Sequence, residues 1–191
     1  MKLLGILGSV TPPGRLLTAT RWALDHAAAT HGGLETELIN LADKRIAFAD
    51  GRPPEQLGDD TANVIKSAQS ADAVIIASPV YRGSITGALK NLLDQLPVEA
   101  LAKPVGIIAM GATDHHYLGV DWHLRDILAW FGSIVVPSSA YLASFDFAEG
   151  KLTADAQRNL ADLADAVLKL TAISPAPGQF LGPVPLAARR R

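Results

Sequence analysis

The sequence predicts a three-layer α/β fold in which helices cover both faces of a parallel sheet. Short apolar runs alternate along the chain with longer amphipathic segments. The apolar runs are nearly continuous, which is typical of parallel strands that are buried on both faces. The chain has 191 residues, 49% of them hydrophobic and 19% charged, which suits one domain with a substantial core.

Five apolar runs are predicted as strands. They lie at 2–8, 34–41, 72–77, 103–111 and 133–137. Five strands joined through helices fit a doubly wound parallel sheet with the strand order 2-1-3-4-5. Such sheets bind ligands beyond the carboxyl ends of their strands, so the loops after strands one, three and four form the candidate site.

Five amphipathic segments are predicted as helices. They lie at 15–31, 59–70, 84–96, 116–131 and 153–172. Ser84 is a predicted N-cap of the third helix, and Thr153 of the last, which also carries Asp155 in its first turn. On the third helix, the apolar side chains recur at helical spacing and predict a buried face. They are Ile85, Ala88, Leu89, Leu92, Leu93 and Leu96.

The domain is predicted to span 1–173, followed by a proline-rich tail at 174–191. Because prolines cannot continue a helix, the tail is predicted to be extended or disordered. An alternative is an arm that lies across a neighbouring subunit, with Phe180 and Leu181 as anchors.

Charge and composition exclude several classes of function. The formal net charge of −2 gives no reason to expect nucleic acid or an anionic membrane as a partner. The chain has no cysteine, which excludes disulfides, thiol nucleophiles and zinc–thiolate sites. The apolar segment after Lys2 is too short for a signal peptide, and no apolar run approaches the ~18 residues that a membrane span requires. We therefore expect a soluble, cytoplasmic protein.

The first candidate loop, 8–19, reads GSVTPPGRLLTA. Ser9 ends the strand, two prolines stiffen the turn, Gly14 permits close approach of a ligand, and Arg15 opens the helix. Free backbone amides at a helix start, together with a hydroxyl and a guanidinium, suit a phosphate monoester. Neither a dinucleotide-binding fingerprint nor a P-loop is present, so an ordinary strand-to-helix turn remains the alternative.

The second candidate loop and its helix, 78–97, read SPVYRGSITGALKNLLDQLP. Pro79 fixes the backbone and is predicted to leave the next amides free to donate outward. Backbone donors, an apolar wall and little bulk are what the edge of a flat heteroaromatic ring requires. Alternatively, Tyr81 only packs on the surface.

The third candidate loop, 110–119, reads MGATDHHYLG. Gly111 and Thr113 are candidates for a second backbone cradle. The adjacent histidines at 115 and 116 do not predict a metal site, because their side chains point apart and no third strong ligand is suitably spaced.

The helix at 116–131 is apolar around most of its circumference. Four side chains suit the sheet: Leu124, Ile127, Leu128 and Phe131. This leaves Tyr117, Trp122 and Trp130 in need of another surface. We therefore expect a homodimer or homotetramer that forms through helices 84–96 and 116–131. A shallow lipophilic pocket lined by tryptophan is the alternative.

These loops resemble those of a known family, the NAD(P)H-dependent FMN reductases of flavodoxin-like fold. GSVTPPGR is similar to its phosphate loop, G-S-x-x-x-P-S-R. SPVYRGSITGALKNLLDQLP closely resembles its motif T-P-V-Y-[KR]-[AG]-S-x-[ST]-G-x-L-K-x-L-[LF]-D. MGATDHHYLGVDWHLRDIL is similar to its third segment. The resemblance covers residues 1 to about 170 and leaves the tail outside.

The resemblance implies that FMN and NAD(P)H are the cofactors and that reduced flavin supplies a monooxygenase. FMN would be held by Ser9, Gly14, Arg15, Leu16, Leu17, Pro79, Val80, Tyr81, Arg82, Ser84, Gly111 and Thr113. Hydride transfer to flavin N5 requires stacked rings rather than a catalytic side chain, so no catalytic residue and no metal is expected. Arg82 and the third-loop amides are candidates for an electrostatic role at the flavin edge, and Arg82 could instead meet the phosphates of the pyridine nucleotide.

The chain departs from the family pattern in its phosphate loop. The family usually carries hydroxyl residues where this chain has Gly14, Leu16 and Leu17. Each lost hydrogen bond should weaken FMN binding by roughly 1 kcal/mol. Ala112 replaces the second glycine of the third loop, which narrows the approach to the ring.

Three alternative functions remain open from the sequence. A quinone, azo or chromate reductase would keep its FMN bound and reduce another acceptor. A flavodoxin-like electron carrier would usually be strongly acidic and rich in loop aromatics, unlike this chain. A receiver-like signalling domain would need clustered acids after the first strand, where the chain has Gly8 and Ser9.

Overall fold

The computed structural model describes residues 1–11, 14–176 and 179–189. Its main sheet is parallel and has the strand order β2-β1-β3-β4-β5, which confirms the predicted order. The strands of this sheet are β1 (Lys2–Leu7), β2 (Glu35–Asn40), β3 (Ala73–Pro79), β4 (Pro104–Met110), β5 (Ile134–Val135) and β6 (Ala140–Leu142). A separate antiparallel hairpin consists of β7 (Phe147–Ala148) and β8 (Lys151–Leu152).

Helices cover both faces of the sheet, as predicted. They are α1 (Arg15–Thr30), α2 (Thr61–Ser70), α3 (Gly87–Leu93), α4 (Tyr117–Phe131) and α5 (Ala154–Ile173). The apolar stripes of α2, α3 and α4 pack on one face, and those of α1 and α5 pack on the other. The predicted cap of α5 is confirmed, because the Thr153 side chain accepts a hydrogen bond from the amide of Ala156.

The predicted fifth strand, 133–137, contains only the two residues of β5, and it is followed by β6, which was not predicted. β5 pairs with the start of β4, and β6 pairs with the end of β4. Pro137 lies between them and has no N–H to donate to the ladder. Arg125 of α4 stabilises the break by donating to the carbonyl oxygens of Val136 and Pro137, both at 2.9 Å, while it also pairs with the buried carboxylate of Asp121.

The third helix begins three residues later than predicted, and Ser84 is not its cap. The N-cap is Thr86, whose hydroxyl accepts from the amide of Leu89 and donates to the carbonyl oxygen of Gly8. This second bond ties the start of α3 to the end of β1. The predicted apolar face of α3 is confirmed as part of the core.

The described part of the tail packs on its own chain. Phe180 and Pro185 fill the space beside Gly132 at the end of α4, whereas the side chain of Leu181 is exposed. None of the helices in the described ranges has the length and apolar character needed to cross a membrane.

Candidate functional site

A cleft of about 290 Å³ lies beyond the carboxyl ends of the strands. The loops after β1, β3 and β4 line it, as does the last residue of β2, Asn40. The three loops that the sequence identified therefore meet at one edge of the sheet, where the strand order reverses between β1 and β3.

The first loop brings an unpaired cation and free backbone donors to this cleft. Gly14 precedes α1 without any side-chain cap, so no described side chain accepts from the first amides of the helix. Arg15 is exposed, takes part in no ion pair between described residues, and lies with its guanidinium 5.4 Å from the centre of the Phe147 ring. The hydroxyls of Ser9 and Thr11 are hydrogen-bonded to each other at 2.8 Å, and both residues line the cleft. Helix donors, a guanidinium and hydroxyls form an anion-binding corner.

The second loop is a tight hairpin rather than a row of free donors. The amide of Val80 donates to the carbonyl oxygen of Met110 at 2.8 Å, and Tyr81 and Ser84 exchange two backbone hydrogen bonds. Arg82 and Gly83 between them have φ angles of 53° and 75°, as in a type I′ turn. The expectation that the amides after Pro79 are free is therefore wrong for Val80 and Tyr81, because the protein uses both.

The third loop is held by β6. The amide of Gly111 donates to the carbonyl oxygen of Leu142 at 3.0 Å, and the Tyr141 hydroxyl donates to the carbonyl oxygen of Thr113 at 2.5 Å. Burial raises the pKa of the Tyr141 hydroxyl, and the charge of Asp114 adds to the effect. The amides of Ala112 and Thr113 have no acceptor among the described residues.

The cleft therefore has two distinct ends. The end near Arg15 suits an anion, and the end near Val80 and Gly111 is apolar and lined by backbone. Between residues that the structure describes, no group of three or more His, Asp or Glu side chains is arranged to hold a metal ion. His115 and His116 are both exposed.

Residues 1–148 match the family model described as NADPH-dependent FMN reductase. The chain belongs to this family. It is an oxidoreductase that uses NAD(P)H and FMN, as the resemblance implied.

Curated relatives match most of the chain. It is 36% identical over 150 residues to an NAD(P)H-dependent FAD/FMN reductase of Geobacillus thermodenitrificans, a match that covers 78% of this chain and 80% of the relative. It is 31% identical to the NADH-dependent FMN reductase SfnF of Pseudomonas fluorescens, with 81% and 83% covered. The fold is similar to that of an NADH:FMN oxidoreductase (EMOB) in its apo form, with a TM-score of 0.79, 24% identity, and 98% and 99% of the two chains covered.

Most of the residues that the resemblance assigns to FMN line the cleft of this family member. They are Ser9, Gly14, Arg15, Leu16, Leu17, Pro79, Val80 and Gly111. The other four, Tyr81, Arg82, Ser84 and Thr113, do not line it. The Tyr81 and Arg82 side chains are exposed on the hairpin, the Ser84 hydroxyl lies 2.5 Å from His123 Nδ1, and Thr113 contacts Tyr141. Pro12 and Pro13 lie outside the described residues.

The cleft lining also includes Ala112, which the resemblance placed beside the ring, and four residues that the sequence did not indicate: Leu7, Thr11, Asn40 and Met110. Thr11, Met110 and Ala112 lie within or next to the loops that were identified. Asn40 ends β2, and the edge position of that strand beside β1 was the signal that could have found it.

Proposed function

We propose that the cleft binds FMN with its phosphate at the start of α1 and its ring beside Val80 and the third loop. One observation carries this proposal: Arg15 and the uncapped first turn of α1 line the same cleft as Pro79, Val80 and Gly111. A helix N-terminus with an adjacent arginine is a common site for phosphate.

The residues present fit a phosphorylated flavin. The phosphate would meet the amides of Arg15, Leu16 and Leu17, with Ser9 as a hydroxyl partner. Leu7, Val80 and Met110 supply an apolar wall, which suits a planar ring. Tyr81, Arg82, Ser84 and Thr113 would border the ligand from the rim.

When bound, FMN supplies the N5 atom that accepts a hydride from nicotinamide C4. The chain's own contribution is to orient the two rings and to stabilise negative charge at the far edge of the flavin. The amides of Ala112 and Thr113 are suitable donors, since no described residue accepts from them. Arg82 is exposed at the rim and supplies positive potential there.

We further propose that the reduced flavin is released to a flavin-dependent monooxygenase. Leu16 and Leu17 line the cleft but carry no hydroxyl, so the phosphate is held mainly by backbone donors and Arg15. A looser hold on the phosphate favours release of the product over permanent retention.

The assembly that we propose is a cytoplasmic homodimer or homotetramer of the 1–173 flavodoxin-like domain. A groove of about 330 Å³ lies between α3 and α4 and includes Lys90, Ile127 and Trp130. The Trp130 side chain is 63% exposed, which supports a contact between copies at this groove. Sedimentation of wild type against Trp130→Glu tests the contact, and a monomeric wild type would contradict it.

The proposed function is tested by measuring NADH and NADPH oxidation with FMN, riboflavin or a quinone as acceptor. Flavin content is determined on the protein as purified. We expect little bound flavin and turnover that depends on added FMN. Flavin-loaded protein that reduces the quinone without added FMN would contradict release, and no oxidation with any acceptor would contradict the function itself.

A further inference from the structure

The third loop is attached to β6 at two points that enclose Ala112. The Gly111 amide donates to the Leu142 carbonyl, and the Thr113 carbonyl accepts from the Tyr141 hydroxyl. Ala112 lies between these bonds and lines the cleft. Two successive residues of β6 therefore hold the segment of backbone that borders the candidate flavin site.

Tyr141 is well anchored for this role. It lies opposite Ala109 in the parallel pairing of β6 with β4, and its half-buried ring packs against the core that α2, α3 and α4 share. The ordinary pKa of a tyrosine hydroxyl is about 10, so the group is protonated and remains a donor at neutral pH, and burial and the charge of Asp114 raise the pKa of Tyr141 further.

The Tyr141 hydroxyl also accounts for the glycine at 111. A Cβ placed on Gly111 would overlap the hydroxyl oxygen and would lie 3.1 Å from ring carbon Cζ. Any side chain at 111 would therefore displace either the tyrosine or the loop.

We propose that Tyr141 is a positioning residue of the flavin site, whose hydroxyl fixes the third loop and requires Gly111 beside it. The inference rests on the proposed function for its effect on FMN. The contact between Tyr141 and the third loop does not depend on FMN, so it can be tested without flavin. Because Tyr141 holds Thr113 by its carbonyl oxygen, the backbone amides of Ala112 and Thr113 stay free to donate to a ligand in the cleft.

The first test is Tyr141→Phe, which removes the hydroxyl and keeps the ring. We expect the Kd and KM for FMN to rise about fivefold, as for the loss of one hydrogen bond, with kcat at saturating FMN retained. Ser133→Ala is the control, because it also removes a hydroxyl-to-carbonyl hydrogen bond, from Ser133 to Leu101, but at the opposite end of the sheet from the cleft. Equal FMN affinity in wild type and Tyr141→Phe would overturn the proposal.

The second test combines Tyr141→Phe with Gly111→Ala. We expect Gly111→Ala alone to weaken FMN binding at least tenfold, and the double variant to recover part of the loss, since the overlapping oxygen is gone. Gly32→Ala is the control, because nothing lies within 4 Å of an added Cβ there. A double variant no better than Gly111→Ala would overturn the proposal.

Wild type, Tyr141→Phe, Gly111→Ala and the double variant are also unfolded in urea without flavin. Here too we expect the midpoint of the double variant to exceed that of Gly111→Ala. If wild type neither binds nor reduces FMN, the proposed function fails, and the flavin-free unfolding still decides the contact. If wild type reduces FMN while the two substitutions act independently in urea, the positioning role fails alone.

Discussion

His123 Nδ1 lies 2.5 Å from the hydroxyl oxygen of Ser84, a contact between α4 and the hairpin that follows β3. One turn earlier on α4, a Cβ added to Gly119 would lie 3.0 Å from the carbonyl oxygen of Gly83. The first two turns of α4 therefore pack against the 81–84 hairpin. The two later loops of the site are not independent, since α4 follows the third and holds the second.

Removing this contact should loosen the hairpin without unfolding the protein. We expect His123→Ala and Ser84→Ala each to raise the KM for FMN a few-fold, and the double variant to be no worse than either single variant. His123→Asn should retain most of the affinity, because its amide oxygen can accept from the Ser84 hydroxyl. Additive losses in the double variant would mean that the two side chains act separately.

Arg15→Ala should weaken FMN binding and leave riboflavin binding unchanged. The guanidinium has no carboxylate partner in the described parts of the chain, so a phosphate would be its main partner. A hydrogen bond to a charged group contributes about 1.5–3 kcal/mol, which predicts an affinity loss of at least tenfold for FMN. Fluorescence titration with both flavins measures the difference, and an equal loss for riboflavin would remove Arg15 from the phosphate site.

Phe147 should assist Arg15 through the contact of its ring with the guanidinium. Phe147→Leu keeps an apolar side chain but removes the aromatic face, which is worth ~0.5–1 kcal/mol at an exposed site. We expect a smaller loss of FMN affinity than in Arg15→Ala, again without an effect on riboflavin. No further loss should follow when Phe147→Leu is added to Arg15→Ala.

Leu17→Ser should tighten FMN binding by supplying the missing hydroxyl in the first turn of α1. One neutral hydrogen bond is worth about 1 kcal/mol, or roughly fivefold in affinity. Leu17→Ala is the matched control, since it loses similar apolar contact without gaining a donor. Equal affinity in the two variants would show that the side chain at 17 does not reach the phosphate.

The long elements and the loops of the site could be predicted from the sequence, because both depend on local patterns. Continuous apolar runs indicated β1, β3 and β4, and Thr153 has the side chain that an N-cap requires. The start of α3 could not be predicted in this way. Ser84 and Thr86 can both cap a helix, and they are distinguished by their other contacts, because Ser84 is held by Tyr81 and His123 whereas Thr86 donates to Gly8.

The two hydrogen bonds from β6 to the third loop also could not be predicted from local sequence patterns. β6 has three residues and pairs with the distant β4, so neither its length nor its periodicity indicates a strand. The resemblance placed Thr113 beside the ring, but Tyr141 lies 28 positions away and has no motif of its own. Long-range contacts of this kind carry no short-range signal.

Lys103 is predicted to affect the stability of the fold without affecting the cleft. It precedes β4 at the amino end of the sheet, and its buried ammonium donates to the carbonyl oxygens of Ala68, Gln69 and Ala71 at the end of α2. Lys103→Met leaves these carbonyl oxygens without their donor but also removes the cost of burying a charge, so we expect only about 1 kcal/mol less stability at pH 7 and an unchanged KM for FMN.

The stability difference between wild type and Lys103→Met should grow with pH. Burial lowers the pKa of Lys103 to about 8, against an ordinary value of 10.5 in the unfolded chain. Between these values the unfolded state binds more protons than the native state, so the contribution of Lys103 to stability rises with pH, by up to roughly 3 kcal/mol in total. Urea unfolding of both proteins from pH 7 to 10.5 measures this. A constant or shrinking difference would show that the three carbonyl oxygens keep the ammonium charged and outweigh its burial.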